Sequence, residues 1–212
     1  MTYFTSGVQL QAAIDALPAS KKGGFVAFDR GYYAANYMNA YQGTLSPLEH
    51  FVQIGADRFF SPNAKFDPTY YANAYADLRG AGLNSADLLF HFMQFGLDEG
   101  RTPNAALAKF DGAAYLVANP DVAAYVNANL AQFNGSVTNG AIAHYVKFGA
   151  IEGRVAPELP VTDDQAFTLT QREDNLTGGA GDDVFAAPVT QNTTGCGQRS
   201  NTFETGDVLN GG

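Results

Sequence analysis

The residues with the clearest chemistry lie near the C-terminus. Gly178-Gly179-Ala180-Gly181-Asp182-Asp183-Val184-Phe185-Ala186 fits the nonapeptide G-G-x-G-x-D-x-U-x at every fixed position, a calcium-binding pattern of parallel β-helices. The glycines permit a tight turn with inward carbonyls, Asp183 supplies a hard oxygen, and Phe185 turns into a core. Calcium takes about six to eight such oxygens, so one nonapeptide makes only a partial site. Gly179, Gly181 and Asp183 are its expected ligands, with Asp174, Asp182 and Asp207 as further oxygens. A Gly-Asp surface turn is the plainer alternative. A second copy starts at Gly211-Gly212, so the chain reads as a piece of a longer one.

Other reactive types are sparse. The chain has three histidines, His50, His91 and His144, and each is followed five residues later by glycine, at Gly55, Gly96 and Gly149. Three equivalent imidazoles suggest a metal cluster. However, packed helices sit roughly 10 Å apart, which spreads equivalent residues into a ladder too wide for one tetrahedral ion. A half-buried imidazole bonded to a neighbouring turn is the favoured reading. Tyr33, Tyr71 and Tyr115 could stack on sugar rings, against the alternative of core packing. Arg101 and Arg154 could contact an anion or sugar, against the alternative of satisfying carbonyls or acidic neighbours near helix ends. Cys196, the one cysteine, has no His near it in sequence and excludes an internal disulfide framework. No G-x-S-x-G, H-E-x-x-H or phosphate-cradling loop occurs, which argues against an enzyme.

The histidines belong to a stretch written three times. Phe28-Asp29, Phe66-Asp67 and Phe110-Asp111 head the copies, and Tyr33, Tyr71 and Tyr115 follow each Phe by five residues. The last two copies close on Glu-Gly-Arg. Repetition at about this length signals helical hairpins that stack to share a core. Each Asp should cap a first helix, with the preceding Phe as a staple on its first turn. Ser46-Pro47-Leu48-Glu49 reads as a full capping box for a second helix, and Ser85 stands likewise. Gly55, Gly96 and Gly149 stand where a left-handed cap should end those helices. In the third copy Asn119-Pro120-Asp121 predicts an extra short helix, and an insertion is expected around Ala131 to Asn139. Ahead of the copies, Thr5 or Ser6 should cap a helix over Val8 to Leu17, stopped by Pro18.

These patterns predict a mainly α fold: three helical-hairpin repeats, then a small β segment that begins a calcium-binding β-roll. Residues 1–26 form an N-terminal helix and loop. The repeat domain covers 27–160, as 27–64, 65–108 and 109–159, and 161–212 is the start of the roll. Phe167-Thr168-Leu169-Thr170 alternates like a strand. The net charge of −9 argues against nucleic-acid binding and against anionic membranes. No run of 18 apolar residues occurs, and the N-terminus lacks a secretory signal pattern. The chain is then expected to be cytosolic, exported by another route, or without its leader.

Two resemblances narrow this. Phe167–Pro188 followed by Thr202–Gly212 resembles the opening of the calcium-binding region in RTX proteins, particularly proteobacterial surface-layer proteins and large exoproteins. The segment from Thr190 to Ser200, with Cys196, departs from that pattern. The FDxxYY…HFxxFGxxEGRxPN copies resemble short repeats of bacterial exoproteins. The resemblance implies type I secretion, an extracellular cell-surface location, calcium as cofactor, and a helical domain that anchors to lipopolysaccharide or another surface polysaccharide. Self-association in a surface lattice is a further implied partner. A ligand-binding module of an RTX adhesin or secreted exoenzyme is the alternative.

Overall fold

Short polar side chains decide where the helices start. Asp29 Oδ1 accepts from the Tyr32 amide at 2.9 Å, Asp67 Oδ1 from the Tyr70 amide at 3.0 Å and Asp111 Oδ1 from the Ala114 amide at 2.9 Å. These caps satisfy amides that a helix N-terminus leaves without partners. They open α2 (Arg30–Tyr37), α4 (Pro68–Ala74) and α6 (Gly112–Ala118). The Phe before each cap packs on the Tyr of the first turn, with ring centroids 5.2, 5.4 and 5.3 Å apart.

The other helices are α1 (Gly7–Ala16), α3 (Pro47–His50), α5 (Ser85–His91), α7 (Pro120–Ala128) and α8 (Val137–His144). In this computed structural model the described residues are 3–159, 166–170, 172–177, 184–191, 199–203 and 207–210. They divide into two compact units, Met1–Glu158 and Leu159–Gly212. All eight α-helices among the described residues lie in the first. None is long and apolar enough to cross a membrane.

Several caps differ from their sequence reading. Ser46 caps α3, accepting from the Glu49 amide at 3.3 Å, but the Glu49 carboxylate does not return to Ser46. It accepts instead from the amide of Gly7, at 2.7 Å, and so pins the first turn of α1 to α3. The full capping box is one residue before the expected Ser85: Asn84 and Asp87 exchange it, and Ser85 is buried within the first turn. Ser6 caps α1, which buries Leu10 and Ile14 and leaves Val8 75% exposed. The extra helix after Asn119 is present as α7.

Beyond each histidine the helix widens. Phe51–Gly55, Phe92–Gly96 and Tyr145–Gly149 are π-helical, closed by bonds such as Leu97 N–H to Phe92 O and Ala150 N–H to Tyr145 O, both 2.9 Å. Gly55, Gly96 and Gly149 are therefore not left-handed caps. The left-handed position comes four residues later, at Phe59 (φ +57°), Gly100 (+69°) and Gly153 (+72°). The chain then returns to its own head: the Asp29, Asp67 and Asp111 amides donate to Pro62, Pro103 and Pro157 carbonyls at 3.0, 3.0 and 2.7 Å.

The main core joins Leu10 and Ile14 of α1 to Tyr33, Phe51, Phe66, Tyr71, Leu88, Leu89 and Phe92. A smaller one gathers Tyr115, Val122, Val126, Phe133 and Ala141. Each such side chain stabilises the fold by about 1.5–3 kcal/mol through burial.

The second unit contains strands β1 (Ala166–Thr168), β2 (Asn175–Thr177), β3 (Val184–Ala186), β4 (Val189–Gln191), β5 (Arg199–Asn201) and β6 (Val208–Asn210). They pair as small two-stranded sheets. β1 runs parallel to β3 with Ala166 opposite Val184, and β2 parallel to β6 with Asn175 opposite Val208. β4 and β5 form an antiparallel pair. The middle residues Phe167, Leu176 and Phe185 are half-buried between exposed neighbours, Leu209 is half-buried, and the Phe167 and Phe185 rings stack at 5.0 Å.

Candidate functional site

The three histidines stand in three copies of one contact. The Tyr33, Tyr71 and Tyr115 hydroxyls lie 2.9, 3.0 and 3.1 Å from Nδ1 of His50, His91 and His144. Gly55, Gly96 and Gly149 complete each cluster. A Cβ at those glycines would fall 2.1, 2.3 and 2.3 Å from the Tyr oxygen, so the glycine forms the notch that admits the hydroxyl. The π turn brings this about. Five residues in an α-helix rotate about 140° away from the starting side chain, whereas an i to i+5 bonded turn returns the glycine to the histidine's side.

Of the two readings of the three tyrosines, sugar stacking and core packing, this geometry matches core packing. All three rings are fully buried and present no face to a ligand. Burial raises their phenol pKa values, that of Tyr115 to about 12. Burial lowers all three imidazoles from their ordinary 6.5. The clusters are thus neutral hydrogen-bonded pairs near pH 7. Among the described residues no group of three or more His, Cys, Asp or Glu side chains is placed to hold a metal ion.

Arg101 and Arg154 occupy the corner after the left-handed glycine. Arg101 bonds both oxygens of Asp77 at 2.9 and 2.8 Å, gives Nε to Glu99 at 2.6 Å, and lies over the Tyr75 ring at 4.7 Å. Arg154 does the same with Asp121, at 3.0 and 2.7 Å, and Glu152, at 2.6 Å, and adds Asn119 at 2.7 Å. Hydrogen bonds from the guanidinium groups hold Asp77 and Asp121 below the usual carboxylate range. Bidentate pairs of this kind commit the arginine's donors. At the first corner Phe60 replaces the arginine and stacks on Tyr37 at 4.2 Å. The acidic partner is gone with it, since Asn39 stands where Asp77 and Asp121 stand relative to the buried Tyr.

The segment after α1 ties the π turns together. Lys21 Nζ donates to the Gln94 carbonyl at 2.7 Å and pairs with Asp98, and the Gly24 amide donates to the Lys147 carbonyl at 2.8 Å. Lys147 itself is 1% exposed; its Nζ donates to Ser20 O at 2.9 Å and lies 3.7 Å from Asp98. Burial lowers its pKa, opposed by Asp98. A buried cation held this way fixes geometry more than it adds stability. The sequence signal was the exchange of Gln53 and Gln94 for Lys147 at one position of the copies.

Of the expected calcium ligands, Gly179, Gly181, Asp182 and Asp183 lie outside the described residues, as does Cys196. Asp174 and Asp207 are brought together where β2 and β6 begin: the Asp174 amide donates to Asp207 Oδ1 at 2.8 Å, and the Asp174 carbonyl accepts from Val208 at 2.8 Å. The Asp174 carboxylate accepts from the Thr170 amide and hydroxyl at 2.6 and 3.1 Å.

Sequence reasoning missed one cavity. It has a volume of about 420 Å³, and Tyr3, Phe4, Leu83, Phe90, His91 and Phe95 are among its lining residues. Phe95 is 47% exposed at its edge and Tyr3 69%. His91 belongs to the repeated pattern, but Tyr3, Phe4 and Leu83 precede or join the helices and lie outside it, so nothing in the copies gathers these residues. Comparison of the chain with protein-family models, with curated proteins and with solved structures gave no match.

Proposed function

We propose that this chain is a non-enzymatic structural and attachment part of a calcium-dependent protein of the bacterial cell surface. The spacing of the C-terminal strands carries the reading. β1, β2 and β3 start at Ala166, Asn175 and Val184, nine residues apart each time. β1 pairs parallel with β3, eighteen residues on. Two nonapeptides per turn are what a β-roll of the G-G-x-G-x-D-x-U-x type requires, and Phe167, Leu176 and Phe185 take the core position in register. β2 pairs with β6 after thirty-three residues. That is one eighteen-residue turn plus fifteen, and the β4–β5 hairpin accounts for the excess. The hairpin coincides with the segment that departs from the RTX pattern.

Bound calcium would supply charge neutralisation and order to this acidic segment. The carboxylates of Asp174, Asp182, Asp183 and Asp207, with carbonyls at Gly179 and Gly181, are the hard oxygens suited to it. In this reading the helical unit is three copies of one closed hairpin, whose polar side chains are spent on one another, and it serves as the anchor to lipopolysaccharide or a related surface polysaccharide. The protein is secreted by the type I route and acts outside the cell.

The test is binding of the chain to purified lipopolysaccharide and to cells with and without O-polysaccharide. Saturable binding that needs the polysaccharide and survives chelation supports attachment through the helical unit. Equal binding to both cell types contradicts it. The aromatic cavity beside His91 favours a second reading, a small-ligand module of an adhesin or exoenzyme.

A further inference from the structure

The three Tyr–His–Gly clusters differ in what covers the imidazole. Over His50 lies Tyr41, from the segment between α2 and α3, with ring centroids 4.5 Å apart and edge-on. Near His144 lies Tyr125, from α7 between α6 and α8, at 6.1 Å and again edge-on. The first and third copies thus place a tyrosine of their own linking segment against the buried pair. His50 and His144 are accordingly 4% and 8% exposed.

The middle copy has no such ring. Between Tyr75 and Asn84 it carries Ala76-Asp77-Leu78-Arg79-Gly80-Ala81-Gly82-Leu83, and Gly80 and Gly82 are left-handed, at φ +82° and +70°. His91 is only half-buried. Its other ring neighbours among the described residues are Tyr71 and Phe95, at 6.0 and 5.4 Å. The cavity of about 420 Å³ opens here, with His91 in its lining. That volume lies within the range of small-molecule sites, which are mostly apolar with a few polar groups. His91 Nδ1 is engaged by Tyr71 and its Nε2 has no partner among the described residues, so a neutral imidazole with Nδ1 accepting presents an Nε2–H donor.

We propose that the cavity beside His91 is a binding site for a small phenol, a free planar ring bearing a hydroxyl, seated where the other two copies seat their own tyrosine. The chemistry comes from the occupied copies: an aromatic edge meets the imidazole, and aromatic pairs prefer this geometry. Phe90 and Phe95 supply apolar walls, and the Nε2–H donates to the phenol oxygen. The site is independent of calcium and of surface attachment.

The experiment is a titration of the full chain with p-cresol, the tyrosine side chain as a free molecule, followed by the three His Cε1–H resonances. The expected result is a saturable shift at His91 alone, at least tenfold weaker for 4-methylcyclohexanol, which matches p-cresol in size but has no aromatic ring. Leu83→Trp should fill the cavity and abolish the shift. Phe95→Ala, at an exposed edge, should keep the fold and weaken binding several-fold. Tyr41→Gly should open a second site, so that p-cresol then shifts His50 and recovers part of the lost thermal stability. No saturable shift, equal shifts at all three histidines, or equal response to the cyclohexanol would overturn the proposal.

Discussion

The helical unit and the C-terminal segment handle their polar groups in opposite ways. In the first, the three phenols, the three imidazoles and the Arg101 and Arg154 guanidinium groups find partners within the same copy, and the only buried side-chain polar atom without one among the described residues is Ser85 Oγ. In the second, strands of three residues pair two by two, and β1, β2 and β3 have half-buried centres and exposed flanks. Two-stranded pairs of this length are marginal in water without further support. The difference teaches where external help is needed. Under the proposed function, the helical unit is expected to fold without an ion, and the acidic segment of short strands to gain order from calcium.

The sharpest way to break this contrast is to fill a notch. Gly96→Ala places a methyl 2.3 Å from the Tyr71 oxygen. Overpacking together with loss of the Tyr–His bond should cost about 3 kcal/mol, more than the roughly 1 kcal/mol alanine normally gains in a helix. Urea denaturation measures it. Adding Tyr71→Phe removes the clashing oxygen, so the double variant should lose less than the two single losses combined.

Tyr71→Phe or Tyr115→Phe alone comes next. Each leaves an imidazole Nδ1 without its partner, at a cost of about 1–2 kcal/mol; thermal unfolding of each variant, with wild type beside it, gives the value. At the corner, Gly153 has φ +72° and open space around it. Gly153→Ala should then cost about 1 kcal/mol from the left-handed backbone alone, whereas Phe59→Gly, at the matching place, should relieve that strain. Chemical denaturation of the pair decides between a conformational and a packing cause.

The gentlest perturbation is acid. All three histidines have folded pKa values depressed below 6.5, by burial first and by nearby Arg58, Arg101 or Arg154 in addition, with Glu99, Asp77, Glu152 and Asp121 opposing. The unfolded chain then binds more protons, so the neutral imidazoles contribute their full stability above about pH 6.5 and lose it as pH falls toward the folded values. Stability of the helical unit measured from pH 7.5 to 5 should fall, and His91→Gln should flatten the slope.

Much of the helical unit was legible from spacing. Phe-Asp announces a staple and cap because both act within one turn, and all three Asp side chains do cap. Asn119-Pro120 marked α7 for the same local reason. The role of Gly55, Gly96 and Gly149 was not legible, because a five-residue His-to-Gly interval places the two side by side only in a π turn. Glu49 and Ser85 misled for a related reason: a capping pattern does not reveal that a distant amide, Gly7, competes for the carboxylate. For Arg101 and Arg154 the structure holds the acidic-neighbour alternative, with Asp77 and Asp121 more than twenty residues away and so beyond any local pattern. The nine-residue strand step was visible only once β1 and β2 joined the single full nonapeptide, since residues 166–177 carry the core position without its glycines.

The measurement that bears most directly on the division between the two units is hydrogen exchange along the whole chain, in calcium and in chelator. The expected result is unchanged protection across α1 to α8, and protection of β1, β2, β3 and β6 that appears with calcium and disappears without it. Equal exchange of those strands in both conditions, or loss of protection in the helices on chelation, would contradict the account.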